Sequence, residues 1–175
     1  MAVIGLVRVL GALPVLRWPL AGALVAIGVD FADLFLMNLI DLGGLGDYQH
    51  FDKVADLAYM TTFLVVALRW EGLARRVAVV LCAYRLVGVA AYELAGDRTL
   101  LPFFPNVFEF WFLFVAARDR FAPVYALTPG RAGGWLAGLT AAKLGQEYLL
   151  HVDRTLDGYV ATEVVADLWR RLRGR

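Results

Sequence analysis

Asp30 and Asp33, Asp52 and Asp56, and Glu147 and His151 each stand about one helical turn apart, in stretches that are otherwise apolar. Side chains at i, i+3 and i, i+4 share a helix face, and helical bundles gather carboxylates and imidazoles around a hard or borderline cation in this way. These six residues are the candidate ligands of a divalent metal ion. Asp52, Asp56, Glu147 and His151 are also the candidates for catalysis, in which the metal activates water or a hydroxyl. Arg85 and Lys143 are expected to hold an anionic group such as phosphate. Glu109 and Asn106 complete the expected substrate-binding set. No serine or cysteine constellation for nucleophilic catalysis is visible, and no phosphate-binding loop. Cys82, the single cysteine, has no CxxC neighbour and reads as a small buried hydrophobe.

The segments that must position these groups are lipid-like. Of 175 residues, 61% are hydrophobic and only 19% charged, with a mean hydropathy of +0.65. That is well above the apolar content of an ordinary soluble domain. The expected architecture is all-α: one integral membrane domain over residues 1–175, a bundle with spans at about 18–42, 50–70, 77–95, 102–117 and 135–152. The first, from Trp18 to Leu42, is long enough to cross about 30 Å of hydrocarbon at 1.5 Å per residue. The turns fall at Gly43-Gly44-Leu45-Gly46, around Arg75-Arg76 and at Gly96-Asp97-Arg98, and a loop runs from Phe121 to Gly134. Met1 to Leu16, interrupted by Arg8 and Pro14, reads as a short helix lying in the interface and not as a removed signal peptide. Tyr159 to Arg175 reads as an amphipathic interfacial helix. No repeat or second domain is visible.

The net charge is +1 and the basic residues form short clusters between apolar runs, so membrane lipids are expected partners and nucleic acid is not. Arg8, Arg17, Arg69, Arg75, Arg76, Arg118, Arg120 and Arg131 fall on one side of the five spans, against Lys53, Arg98 and Arg154 on or near the other. By the positive-inside rule this is a multi-pass protein of the cell membrane with a cytoplasmic N-terminus. Arg170, Arg171, Arg173 and Arg175 fall on the opposite side and run against that assignment.

The polar residues share faces and a depth. Asp30, Asp33, Asn38 and Asp41 fit an arc of about 140° on the first span, and Lys143, Gln146, Glu147, His151 and Arg154 fit another of about 140° on the fifth. Tyr59 continues the face of Asp52 and Asp56. Counted from one membrane surface, Asp41, Asp52 and Glu93 lie near it, and Asp56, Glu109 and Glu147 about 8 to 15 Å below at 1.5 Å per residue. Asp33, Arg85 and Lys143 lie a little deeper, and Asp30 deepest. A charge at the centre of a membrane helix costs about 2.5 to 3.5 kcal/mol on an insertion scale, so these groups must face one another or water. Lys53, Arg85 and Lys143 can match three of the eight acids, and the other five must be protonated, hydrated or bound to something cationic.

This pattern leads to a metal-dependent membrane enzyme acting on a lipid or other amphiphile. Two alternatives use the same residues differently. One is proton- or cation-coupled transport through a hydrated cavity, for which five short spans would call for a homo-oligomer. The other is a non-catalytic assembly subunit in which polar pairs lock helices together. The excess of acid over base argues against the latter.

Phe51-Asp52-Lys53-Val54-Ala55-Asp56 resembles the second half of the CDP-alcohol phosphatidyltransferase motif, D-G-x2-A-R-x8-G-x3-D-x3-D. The resemblance implies a multi-span enzyme whose aspartates hold divalent metal around a CDP diphosphate. It covers six residues of 175. Leu34 and Phe35 occupy the Asp-Gly positions, Asn38 and Leu39 the Ala-Arg positions and Tyr48 the glycine, while Asp33 is one residue out of register. Pro102-Phe103-Phe104-Pro105-Asn106 either opens the start of the fourth span or simply places proline in a first helical turn. The aromatics from Phe108 to Phe114 read as lipid-facing or packing surface.

Overall fold

The computed structural model describes residues 9–39, 48–96 and 103–151, with side chains described for 9–29, 57, 59–96 and 103–146. The fold is all-helical, with no strand among the described residues. A 3-10 turn, Leu13–Leu16, precedes five helices: α1 Pro19–Leu39, α2 Tyr48–Ala67, α3 Gly72–Ala95, α4 Val107–Phe121 and α5 Pro129–His151. The Gly43 to Gly46 turn and the tail from Tyr159 lie outside the described residues.

Among the described residues one helix, α3, is long and apolar enough to cross a membrane. Ala74, Ala78, Cys82 and Gly88 form its buried stripe, while Val79, Val80, Leu86, Val87 and Leu94 on its other faces are exposed. A helix apolar on every side but buried on only one suits a lipid surround. Glycine closes both ends of α3. Gly72 has φ 59° and Gly96 φ 67°, and the Gly96 N–H donates to the Tyr92 carbonyl at 2.8 Å, a left-handed cap that a side chain would strain.

Three helix starts differ from the sequence expectation by five or six residues, and α4 also runs past 117 to Phe121. α3 starts at Gly72 and not at 77, because Arg75 and Arg76 are exposed on its first turns and need no loop to reach solvent. α5 starts at Pro129 and not at 135: Thr128 acts as its cap, its Oγ1 accepting from the Arg131 N–H at 3.4 Å, with proline at the first helical position. α4 starts at Val107 and not at 102, for reasons that belong to the site.

The segment before α1 packs on the bundle by one face and leaves Val9, Leu10 and Leu13 exposed. Ala12 and Val15 are buried in the bundle. The 3-10 turn presses so close to α1 that a Cβ at Gly22 would stand 2.2 Å from the Val15 nitrogen. Arg69 fastens it from the end of α2, donating to the Leu16 carbonyl at 3.1 Å. Pro14, which breaks the preceding apolar run, is what turns this segment inward.

The core is aromatic. Phe63 of α2 stacks on Phe112 of α4 with centroids 4.2 Å apart, and Trp70 and Phe108 adjoin the pair. Phe63, Phe108, Trp111, Phe112 and Val115 are fully enclosed, so the aromatic run of α4 is chiefly packing surface. The Trp111 indole donates to the Ala74 carbonyl at 3.1 Å, and Phe104 seats on Gly88. These two contacts set α3 and α4 antiparallel and fix their register.

Candidate functional site

The site is built around the non-helical backbone that enters α4. Proline at 105 disfavours helical geometry at Phe104, so the helix cannot extend back through Phe104, and here Pro105 and Asn106 are not helical either. Each carbonyl of this short stretch is nonetheless satisfied. Tyr84 Oη donates to the Phe103 carbonyl at 2.5 Å, Arg85 donates to that of Phe104 at 2.8 Å, and the Val107 N–H reaches that of Pro105 at 2.8 Å. Gly88 makes this possible. With any side chain there the Phe104 ring could not lie against α3.

Asn106 occupies the cap position of α4, and with Glu109 three residues later it has the form of a capping box. Its side chain does not cap the helix. Instead Asn106 Nδ2 donates to Tyr59 Oη at 2.9 Å and to Glu109 Oε2 at 3.3 Å. Asn106 and Glu109 are 5% and 8% exposed, at the edge of the aromatic core. Asn106 Oδ1 is buried and has no hydrogen-bond partner among the described residues. A buried amide oxygen left over beside a carboxylate is the kind of oxygen donor set that suits a hard cation or a hydrogen-bond donor.

Lys143 approaches the first turn of α4 from α5. Its Nζ donates to Gln146 Oε1 at 3.0 Å and lies 5.5 Å from the Phe110 ring centroid, within cation–π range. Arg85 sits on the inward stripe of α3, between buried Cys82 and Gly88. Groups from α2, α3, α4 and α5 therefore meet around the start of α4.

Of the residues singled out in the sequence, the structure thus joins Asn106 to Glu109 and brings Arg85 and Lys143 to the same connection and helix. Asp30 and Asp33 lie on α1, Asp52 and Asp56 on α2 and Glu147 and His151 on α5, all within helical backbone that keeps their one-turn spacings. Their side chains, and Asp41 entirely, lie outside the described part of the chain. Among the described residues no three of His, Cys, Asp and Glu gather as a metal site. Tyr84 and Gly88 escaped the sequence reading. The available signal was a glycine on the apolar stripe of a long helix, paired with a Pro-Phe-Phe-Pro segment that had to pack somewhere.

No protein-family model matches the chain, and comparison with curated proteins and with solved structures returns no match. The six-residue likeness at Phe51 to Asp56 therefore remains a local one.

Proposed function

We propose that the protein is a multi-pass protein of the cell membrane with a cytoplasmic N-terminus, and that the polar cluster at the start of α4 binds a divalent cation used in chemistry on a lipid or other amphiphile. Buried Glu109 carries this reading: a carboxylate enclosed among aromatic side chains, bridged by Asn106 to Tyr59, with the Asn106 amide oxygen beside it unspent. An intramembrane acid is costly, and polar groups held at that cost tend to mark a working site. The one-turn pairs Asp30 and Asp33, Asp52 and Asp56, and Glu147 and His151 would supply the remaining ligands, and the cation would activate water or a hydroxyl.

Elemental analysis of the purified chain tests this. The wild type is expected to carry stoichiometric divalent metal, and Asp56→Ala and His151→Ala each to lose it while remaining folded by circular dichroism. Folded wild-type protein purified without chelator and free of metal would overturn the proposal.

A second reading is favoured by one observation, the non-helical stretch from Phe104 to Asn106 packed against the middle of α3, since transport proteins place such breaks at their ion sites. Cation-dependent or pH-dependent flux in proteoliposomes, with no product formed from lipid, would select it.

A further inference from the structure

We infer that Arg85 is the seat of an anionic group, a phosphate or carboxylate, bound inside the bundle. This names the substrate chemistry of the site above and rests on that reading for its place in a reaction, though not for binding itself.

The argument starts from position. Arg85 is thirteen residues after Gly72 and ten before Ala95, which places it about 20 and 15 Å from the ends of α3 at 1.5 Å per residue. It lies near the middle of the helix, so its guanidinium cannot reach a headgroup region at either end by extending along the helix. Its direction is equally defined. Ala74, Ala78, Cys82 and Gly88 are buried on the face that carries Arg85, whereas Val79, Val80, Leu86 and Val87 face outward.

The third element is charge. A guanidinium presents five N–H donors and stays protonated in any protein setting. Arg85 makes one described hydrogen bond, from Nη1 to the Phe104 carbonyl, and no carboxylate stands within ion-pair distance of it among the described residues. That carbonyl bond orients the planar fork without neutralising it. Lys143, the other base expected to hold the anion, already donates to Gln146 and lies over Phe110. Arg85 is therefore the group in this part of the bundle whose charge the described chain does not answer. A planar fork with unused donors matches a phosphate or carboxylate in bidentate geometry, a match that a lysine in its place could not reproduce.

Binding to the full-length protein in detergent, in buffer containing EDTA, tests this apart from any metal. The probes are dihexanoyl phosphatidic acid, dihexanoyl glycerol lacking the phosphate, sodium octanoate, and inorganic phosphate alone. The wild type should bind an anionic probe and ignore dihexanoyl glycerol. Arg85→Gln should weaken that binding about tenfold or more, Arg85→Lys should restore it only in part, and Arg131→Gln at the surface should leave it unchanged. Preference for phosphatidic acid or octanoate over inorganic phosphate identifies an amphiphile as the source of the anion, and equal binding of inorganic phosphate identifies a free anion. Anion binding that is equal in wild type and Arg85→Gln, or that is absent with every probe, overturns the inference. Because chelator is present throughout, an Arg85-dependent signal would stand even if elemental analysis found no metal.

Discussion

The Phe112→Ala variant is expected to lose about 3 kcal/mol of stability, a large loss for a single core position. Phe112 has no exposed surface and joins α4 to α2: it stacks on Phe63 of α2 at 4.2 Å, meets Trp70 just past the end of α2 at 5.0 Å, and adjoins Phe108 one turn earlier in α4. In a bilayer the transfer part of this energy shrinks, since lipid tails are as apolar as the core. The cost of an unfilled cavity, with ring contacts gone and rigid neighbours unable to collapse, remains. Titration with sodium dodecyl sulfate from mixed micelles measures it. A change below about 1 kcal/mol would mean that the aromatic stack is not what joins α2 to α4.

Gly88→Ala makes the second prediction, and its sign is the informative part. In the interior of a helix alanine is favoured over glycine by about 1 kcal/mol, so propensity alone calls for a gain. Here a Cβ would stand 2.3 Å from Phe104 Cβ and 2.4 Å from its Cγ, atoms too near the backbone to swing aside. The Phe103–Asn106 stretch must shift, breaking the Arg85 bond to the Phe104 carbonyl and drawing Asn106 away from Tyr59. We expect a net loss of about 1 to 3 kcal/mol, as for overpacking elsewhere. In the separate binding assay the variant should also take up the anionic probe more weakly. Stabilisation by alanine would show that Phe104 does not seat on α3.

These two residues also explain how much could be read in advance. The helices were legible because long apolar runs leave the backbone no other way to satisfy itself, and the aromatic run of α4 announced a packing surface. Boundaries were legible only where the capping chemistry was given its full weight. Thr128-Pro129 is a strong helix start, yet Pro123, Pro129, Gly130 and Arg131 together argued for a loop, and the cap prevailed. Arg75 and Arg76 suggested a loop by charge alone, although an arginine at the start of a helix reaches solvent without leaving it.

The site was legible in its ingredients and not in its joinery. Asn106, Glu109, Arg85 and Lys143 stood out as polar groups in apolar surroundings. What could not be read was that Asn106 would abandon its cap for Tyr59 and Glu109, or that Tyr84 and Arg85 would answer the carbonyls freed ahead of Pro105. Those choices depend on Gly88 admitting a phenylalanine ring fifteen residues or more away in sequence. Pairwise packing at that separation leaves no periodic trace. The one-turn pairs on α1, α2 and α5 keep their helical spacing, which is the part of the argument that sequence alone can supply.

The central claim is that polar groups from separate helices meet at the start of α4, inside the bundle. Cross-linking measures this directly: with Cys82→Ala as background, the Tyr59→Cys and Asn106→Cys changes are combined and a short bismaleimide is added in native membranes, because the contact runs through the tip of the Tyr59 side chain and lies beyond the reach of a direct disulfide. The reagent should link positions 59 and 106 readily, while Val80→Cys, on the outward face of α3, combined with Asn106→Cys should give no link. No cross-link between 59 and 106, or equal cross-linking of both pairs, would contradict the meeting point on which the proposed chemistry depends.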